Sequence, residues 1–285
     1  MKGIVQYEVV AGTFYPASSG ELSSVVDGYL SYDMRELNKE LQGRLKAIVV
    51  PHAGYIYSGE VAGKGFSAFG QSLLNSLSDD NELYTIFILA SNHVRNVEKF
   101  KISVSCADYY KTPLGIVRVS SLVAKLKESD LFTCVTRAHE SHVIEVELPF
   151  IQRVFSGVVR ENLAFEIVPM IIGDVNELEI KNAASVINQY LNNNSLIVVS
   201  SDLSHYYSYD EAVSLDSDAL AAITDLDSNR LINNGNVCGL HAVLALLDIA
   251  RMRGWRAKVL EYKNSGDTAG SKKDPVVGYG AVAFY

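Results

Sequence analysis

Short, unbroken apolar runs constrain this chain more than any other feature. They lie at residues 45–50, 84–90, 100–105, 116–119, 164–168, 195–200, 255–262 and 276–284, and they are rich in Val and Ile. Continuous rather than alternating hydrophobicity is the pattern of strands covered on both faces. Helical periodicity lies between the runs. Ile144, Leu148, Ile151 and Phe155 recur at helical spacing with Ser141 as the expected N-cap, and residues 183–191 and 212–223 read as amphipathic helices. Residues 240–252 are apolar on most sides and predict a well-buried helix. Alternating strands and helices predict an α/β fold: a single layered domain over residues 1–285, with a central mixed, largely parallel sheet covered by helices. The last two runs are expected to add an antiparallel edge.

Composition narrows the function classes. The chain has 285 residues, 48% of them hydrophobic, and a net charge of -8 with its lysines and arginines scattered. That balance argues against nucleic-acid or anionic-membrane partners. The first residues carry no apolar signal core and no run approaches membrane-spanning length. Cys106, Cys134 and Cys238 form an odd set without a CxxC pair, which argues against a disulfide framework and for a reducing cytoplasm. Cys106 and Cys134 read as small buried hydrophobes.

Four of the six histidines fall where a strand or a turn should end: His52, His93, His142 and His205. Open α/β sheets gather chemistry outside the carboxyl ends of their strands. His52 follows the run 46–50 and Pro51, ahead of a helix expected from about Glu60, and its alternative is a hydrogen-bonded turn histidine. His93 repeats that design after the run 85–90. If the two strands are neighbours, both imidazoles can share one metal ion. Cys238 precedes Gly239 at the expected start of a helix, where the helix dipole favours a thiolate, suiting a soft metal ligand or a nucleophile. Asp202 and His205 follow the strand run 196–200; either the carboxylate orients the imidazole, or Asp202 caps a short helix at 203–206. His142 and Glu145 stand i,i+3 on one helix face, as a substrate contact or as a plain surface pair. His241 sits on an apolar helix and reads as structural.

Together these residues resemble the Memo family, whose microbial members are also described as protein B of the AmmeMemoRadiSam system. The resemblance runs through Ala11-Gly12-Thr13-Phe14-Tyr15-Pro16, Pro51 to Gly59, Asn92-His93, His142 to Phe150, Ser201 to Tyr206, Cys238-Gly239 and Tyr262 to Asp267. It implies a fold similar to the class III extradiol dioxygenases, which are non-haem iron enzymes. Carried over by motif, it implies His52, His93 and Cys238 as metal ligands, His205 with Asp202 as acid–base residues, and His142 and Glu145 lining the same cleft. The dioxygenases use two histidines and a glutamate; a cysteine in third place shifts the preference toward copper(I) or zinc, with iron still in range. Ala90-Ser91 replaces the family's usual Gly-Pro, and Val143 its usual serine.

The expected function is metal-dependent redox or oxygen chemistry on an unknown small molecule, with iron or copper as the cofactor and zinc as the alternative. A non-catalytic metal carrier uses the same ligands without proton transfer by His205. An interaction module for a protein or peptide partner is a third class, with Tyr55, Tyr57, Tyr206, Tyr207 and Tyr209 as stacking surface. A hydrolase with Cys238 as nucleophile and His205 as base leaves His52 and His93 without a role.

Overall fold

The computed structural model describes residues 3–32, 45–76, 83–158, 164–234, 236–273 and 275–285. Its centre is four parallel strands in the order β2 (Ala47–Val50), β9 (Ser195–Ser200), β3 (Leu83–Ser91) and β8 (Ala164–Ile172). Antiparallel partners flank them. β12 (Val276–Phe284) runs beside β2 and pairs with β11 (Ala257–Asn264) and β10 (His205–Tyr207). On the other side β4 (Ile102–Val104) pairs antiparallel with β8 and parallel with β7 (Phe132–Thr133). A small separate sheet joins β1 (Val5–Gln6), β5 (Tyr109–Thr112) and β6 (Gly115–Arg118). The expected mixed, largely parallel sheet is what forms.

Alternation within each central strand builds the two faces. Ile48, Val50, Ile86, Ile88, Ala90, Leu196 and Val198 point to one side, where the helix Tyr55–Ser76 packs Phe66, Phe69 and Leu73 against them. Ala47, Val49, Phe87, Leu89, Ile197 and Val199 point to the other, under the helices Glu177–Tyr190, Tyr209–Thr224 and Leu240–Arg253. Each Val, Leu, Ile or Phe among them stabilises the fold by about 1.5–3 kcal/mol on full burial. This two-sided cover explains why the central runs lack a polar alternation, whereas the run at 116–119 forms β6 of the small sheet and is largely exposed.

Several local expectations are corrected. The periodicity over 144–155 does not make one helix: it splits into His142–Glu145, Leu148–Arg153 and a π-turn at Val154–Val158. Pro149 lacks the N–H that would bond back to Glu145, so the helix breaks there. Ser141 adopts the extended N-cap backbone but makes no side-chain cap hydrogen bond. The helix placed near Glu60 begins at Tyr55. No helix forms at 203–206; the Leu203 N–H donates to the Gly278 carbonyl and the Gly278 N–H to the Ser204 carbonyl, drawing the segment into β10. The helix Ser19–Tyr29 was not anticipated.

The cysteine reading is also corrected. Cys106 and Cys134 form a disulfide, with Cα atoms 5.3 Å apart. β4 and β7 pair side by side, and each cysteine lies just past the end of its strand. A separation of 28 residues hides that proximity in the sequence. Among the described residues, no helix is long and apolar enough to cross a membrane.

Candidate metal centre

The register of the parallel strands brings the chemistry to one level. Val50, Ser200 and Ala90 are aligned across β2, β9 and β3. His52, Asp202 and His93 therefore leave the sheet at nearly the same height. β2 and β3 are not neighbours: β9 runs between them, and the two imidazoles reach toward each other across its end. Their ring centroids are 5.0 Å apart.

Cys238 arrives from the opposite layer. Its N–H donates to the Asp202 carbonyl at 3.2 Å, and the Gly239 N–H donates to Ser201 Oγ at 2.9 Å. A Cβ at position 239 would meet Ser201 Oγ at 2.7 Å, so glycine lets the start of the helix Leu240–Arg253 press onto the end of β9. Donor atoms of His52, His93 and Cys238 all lie within 4.8 Å of one another. His52 is buried, Cys238 half-buried and His93 exposed, so the group opens to solvent on the His93 side.

Hydrogen bonds assign the imidazole tautomers. His93 Nδ1 faces the Ser91 carbonyl at 2.9 Å and His205 Nδ1 faces the Leu203 carbonyl at 3.0 Å. A carbonyl only accepts, so both Nδ1 atoms carry hydrogen, and in the neutral ring Nε2 is then the nitrogen with the lone pair. His52 Nδ1 lies 2.9 Å from Ser200 Oγ, which itself donates to Glu147 Oε1 at 2.8 Å. His52 Nε2 is left facing the Cys238 sulfur at 3.3 Å.

Electrostatics keep His52 and Cys238 uncharged without a cation. Burial, then the nearness of the two titratable imidazoles of His93 and His205, holds His52 well below the usual imidazole range. Burial and the Asp202 charge push the Cys238 thiol far up, so the thiolate expected from the helix dipole does not form by itself. The helix N-terminus is outweighed by desolvation. The thiol instead donates to His52 Nε2, and the Asp202 N–H points at the sulfur at 3.1 Å.

His142 completes a triangle of imidazoles. Its ring centroid is 5.2 Å from that of His52 and 5.4 Å from that of His93, and Phe14 packs on it at 4.8 Å. Burial and the two neighbouring imidazoles lower its pKa to about 3. Glu145, on the same turn, accepts the Val9 and Val10 N–H groups at 2.7 and 3.1 Å and the Tyr15 hydroxyl at 2.5 Å. Its carboxyl therefore anchors the segment Val9–Tyr15 beside the site.

Asp202 accepts the His52 N–H at 2.8 Å, and its other oxygen lies 3.8 Å from His205 Nε2. Burial raises its carboxyl above the usual range, opposed by the N–H groups of His52 and Ala53 and by His205. It links two turns rather than capping a helix. A bulge in the β10–β12 pairing falls between His205 and Tyr207, and Tyr206 there takes a left-handed φ of 64°. Such bulges re-aim a neighbouring side chain, here His205.

Sequence reasoning missed Ser200 and Glu147. The only available signals were a serine closing an apolar strand and a second acidic residue in an otherwise apolar helical stretch. Of the tyrosines considered, Tyr55 is core and donates to the Val146 carbonyl at 2.6 Å, whereas Tyr57 and Tyr206 are exposed. Tyr207 and Tyr209 donate to Asn236 and Asp267. A cavity of about 470 Å³ is bounded by Ser91, Asn92, Phe100, Ile172, Cys238 and His241, and of the donor group only Cys238 lines it. A second of about 520 Å³, lined by Asp225, Asp248 and Arg251, shares no residue with the donor group.

Comparison with known proteins agrees with this arrangement of motifs. The pattern defining Memo-like proteins matches residues 7–283. A MEMO1 family protein of Desulfurococcus amylolyticus is 33% identical over 97% of this chain and 98% of its own. Another, of Saccharolobus solfataricus, is 30% identical over 96% and 97%. The crystal structure of an uncharacterized protein of Escherichia coli K12 overlaps at a TM-score of 0.47 with 14% identity, over 82% of this chain and 99% of that one. With nearly its whole length matched, this chain belongs to the Memo-like protein family.

Proposed function

We propose that His52, His93 and Cys238 hold a redox-type metal ion, iron or copper with zinc as the alternative, and that the centre acts on a small organic molecule. The observation that carries this reading is the convergence of two imidazoles and one sulfur within 4.8 Å. Donors bound to one ion at about 2.0–2.3 Å stand roughly 3.5 Å apart, so slight contraction of these side chains fits the group. Two bare imidazole nitrogens and a thiol suit a borderline or soft cation. Three protein ligands leave positions open, and the ion would supply Lewis-acid or one-electron chemistry there.

The chain's own residues supply the rest. His205 holds its Nδ1 proton on a carbonyl, so Nε2 is the atom that takes up or returns a substrate proton. Asp202 Oδ2 lies 3.8 Å from that same Nε2, so its carboxylate stands beside the proton-exchanging nitrogen. His142 stays uncharged near neutral pH and offers a contact that does not repel a cation. The cavity beside Cys238 is of a size for a small molecule.

The test is elemental analysis of anaerobically prepared protein, followed by oxygen consumption. About one metal ion per chain in the parent and almost none in Cys238→Ser supports the reading; equal content in both removes it. A second reading, a metal carrier, is favoured by the exposure of His93, which leaves one donor open for exchange. His205→Ala separates the two. A catalyst keeps its metal and loses turnover, whereas a carrier hands metal to an acceptor as the parent does.

A further inference from the structure

Glu147 is buried, 1% exposed, at the turn between the helices His142–Glu145 and Leu148–Arg153, and Ser200 is fully buried at the end of β9. Burial holds the Glu147 carboxyl well above the usual carboxylate range. A buried carboxyl is costly where a leucine would fill the space, so its contacts need an account. The hydroxyl of Ser200 reaches it at 2.8 Å, and His52 Nδ1 lies 2.9 Å from that same hydroxyl.

We propose that Glu147, acting through Ser200, is the positioning residue that fixes His52 in its metal-binding tautomer. This rests on the reading of His52, His93 and Cys238 as a metal centre. A serine hydroxyl has one proton. While that proton is donated to Glu147 Oε1, the oxygen can only accept from His52, so Nδ1 keeps its hydrogen and Nε2 stays bare. Without an acceptor at position 147 the hydroxyl can turn and donate to Nδ1. His52 then carries its hydrogen on Nε2, on the side of Cys238 where an ion would sit. The hydrogen bonds to the far nitrogens of ligating histidines commonly act in this way.

The role needs an acceptor oxygen rather than a charge, which sets the test. Chelator-stripped protein is titrated with Co²⁺, and affinity is read by competition with a chelator and by the thiolate-to-cobalt absorption band. Glu147→Leu and Ser200→Ala are expected to weaken binding about 10- to 100-fold. Glu147→Gln and Ser200→Thr keep an acceptor and a hydroxyl and are expected to stay within about threefold of the parent. Parent affinity in Glu147→Leu, or Glu147→Gln as weak as Glu147→Leu, overturns the proposal. The ¹⁵N shifts of His52 in metal-free protein give a second readout, which also reports folding. The parent should show one tautomer with hydrogen on Nδ1, and Glu147→Leu a mixture; an unchanged single tautomer in a folded variant overturns the proposal. If Co²⁺ fails to bind the parent while the tautomer still shifts in Glu147→Leu, the metal reading fails and the positioning role stands.

Discussion

His52 and His139 are both buried, at 2% and 4% exposure, and each has a hydroxyl on one ring nitrogen. They differ in what meets the other. His139 is closed: Tyr110 Oη lies 2.7 Å from Nδ1 and Ser103 Oγ lies 3.1 Å from Nε2. His52 is open: Nδ1 is held by Ser200, and Nε2 faces a sulfur and two further imidazoles. The surroundings differ in the same sense. His139 lies at the sheet edge where β4 and β7 are stapled by Cys106–Cys134, while His52 lies where three parallel strand ends meet a helix start. A buried imidazole with both nitrogens committed supports structure, whereas one with a spare lone pair among other donors is available for chemistry.

The largest expected effect is the sharpest test of that contrast. His52→Ala should weaken Zn²⁺ binding on the order of 1000-fold, one ligand's share of a binding energy of about 10–16 kcal/mol. His139→Ala should leave Zn²⁺ affinity within a fewfold. Calorimetric titration of both variants breaks the comparison if the losses are similar. Next in size is the staple: reducing Cys106–Cys134 frees a loop of 28 residues' separation, which should cost about 3.5 kcal/mol in urea unfolding with metal content unchanged.

His139→Ala should lower stability by about 3 kcal/mol, because it leaves a cavity and removes the imidazole partner of the buried Tyr110 hydroxyl. That cost should depend on pH. Burial lowers the His139 pKa to about 4, below its unfolded value of about 6.5. The folded state therefore binds this proton less readily than the unfolded chain. The contribution is complete above pH 6.5 and is lost as pH falls toward 4. The stability gap between parent and variant should narrow across that window; a gap that widens on acidification contradicts the assignment. The smallest effect is expected at Glu145→Gln, which removes one of three acceptor contacts to Val9, Val10 and Tyr15 and should cost about 1–2 kcal/mol. Faster amide exchange at Val9 and Val10, without loss of bound Zn²⁺, would mark it as an anchor.

Much of this was legible along the chain. The runs at 195–200 and 276–284 became strands with the same limits, because burial on both faces demands unbroken apolar sequence. His52 and His93 were placed at strand ends by Pro51 and by the polar turn after Ala90. The alternative of a capped helix at 203–206 fails because that segment's bonds go to Gly278, which is remote in sequence. Cys106 and Cys134 were misread for the same reason: parallel neighbours β4 and β7 are joined through a long connection. Ser200 and Glu147 carried almost no local signal, since each looks like an ordinary polar residue until the other is beside it.

By itself the sequence determined which segments must be buried, where the strands stop and which side chains stand at their ends, since period, proline and polarity act within a few residues. Only the tertiary structure decided that β9 separates β2 from β3, that Cys238 descends over its end, and which nitrogen of each histidine is left bare. Those outcomes depend on atoms far apart in the chain, and a hydrogen bond or a shared ligand exists only once folding has brought both partners within about 3 Å.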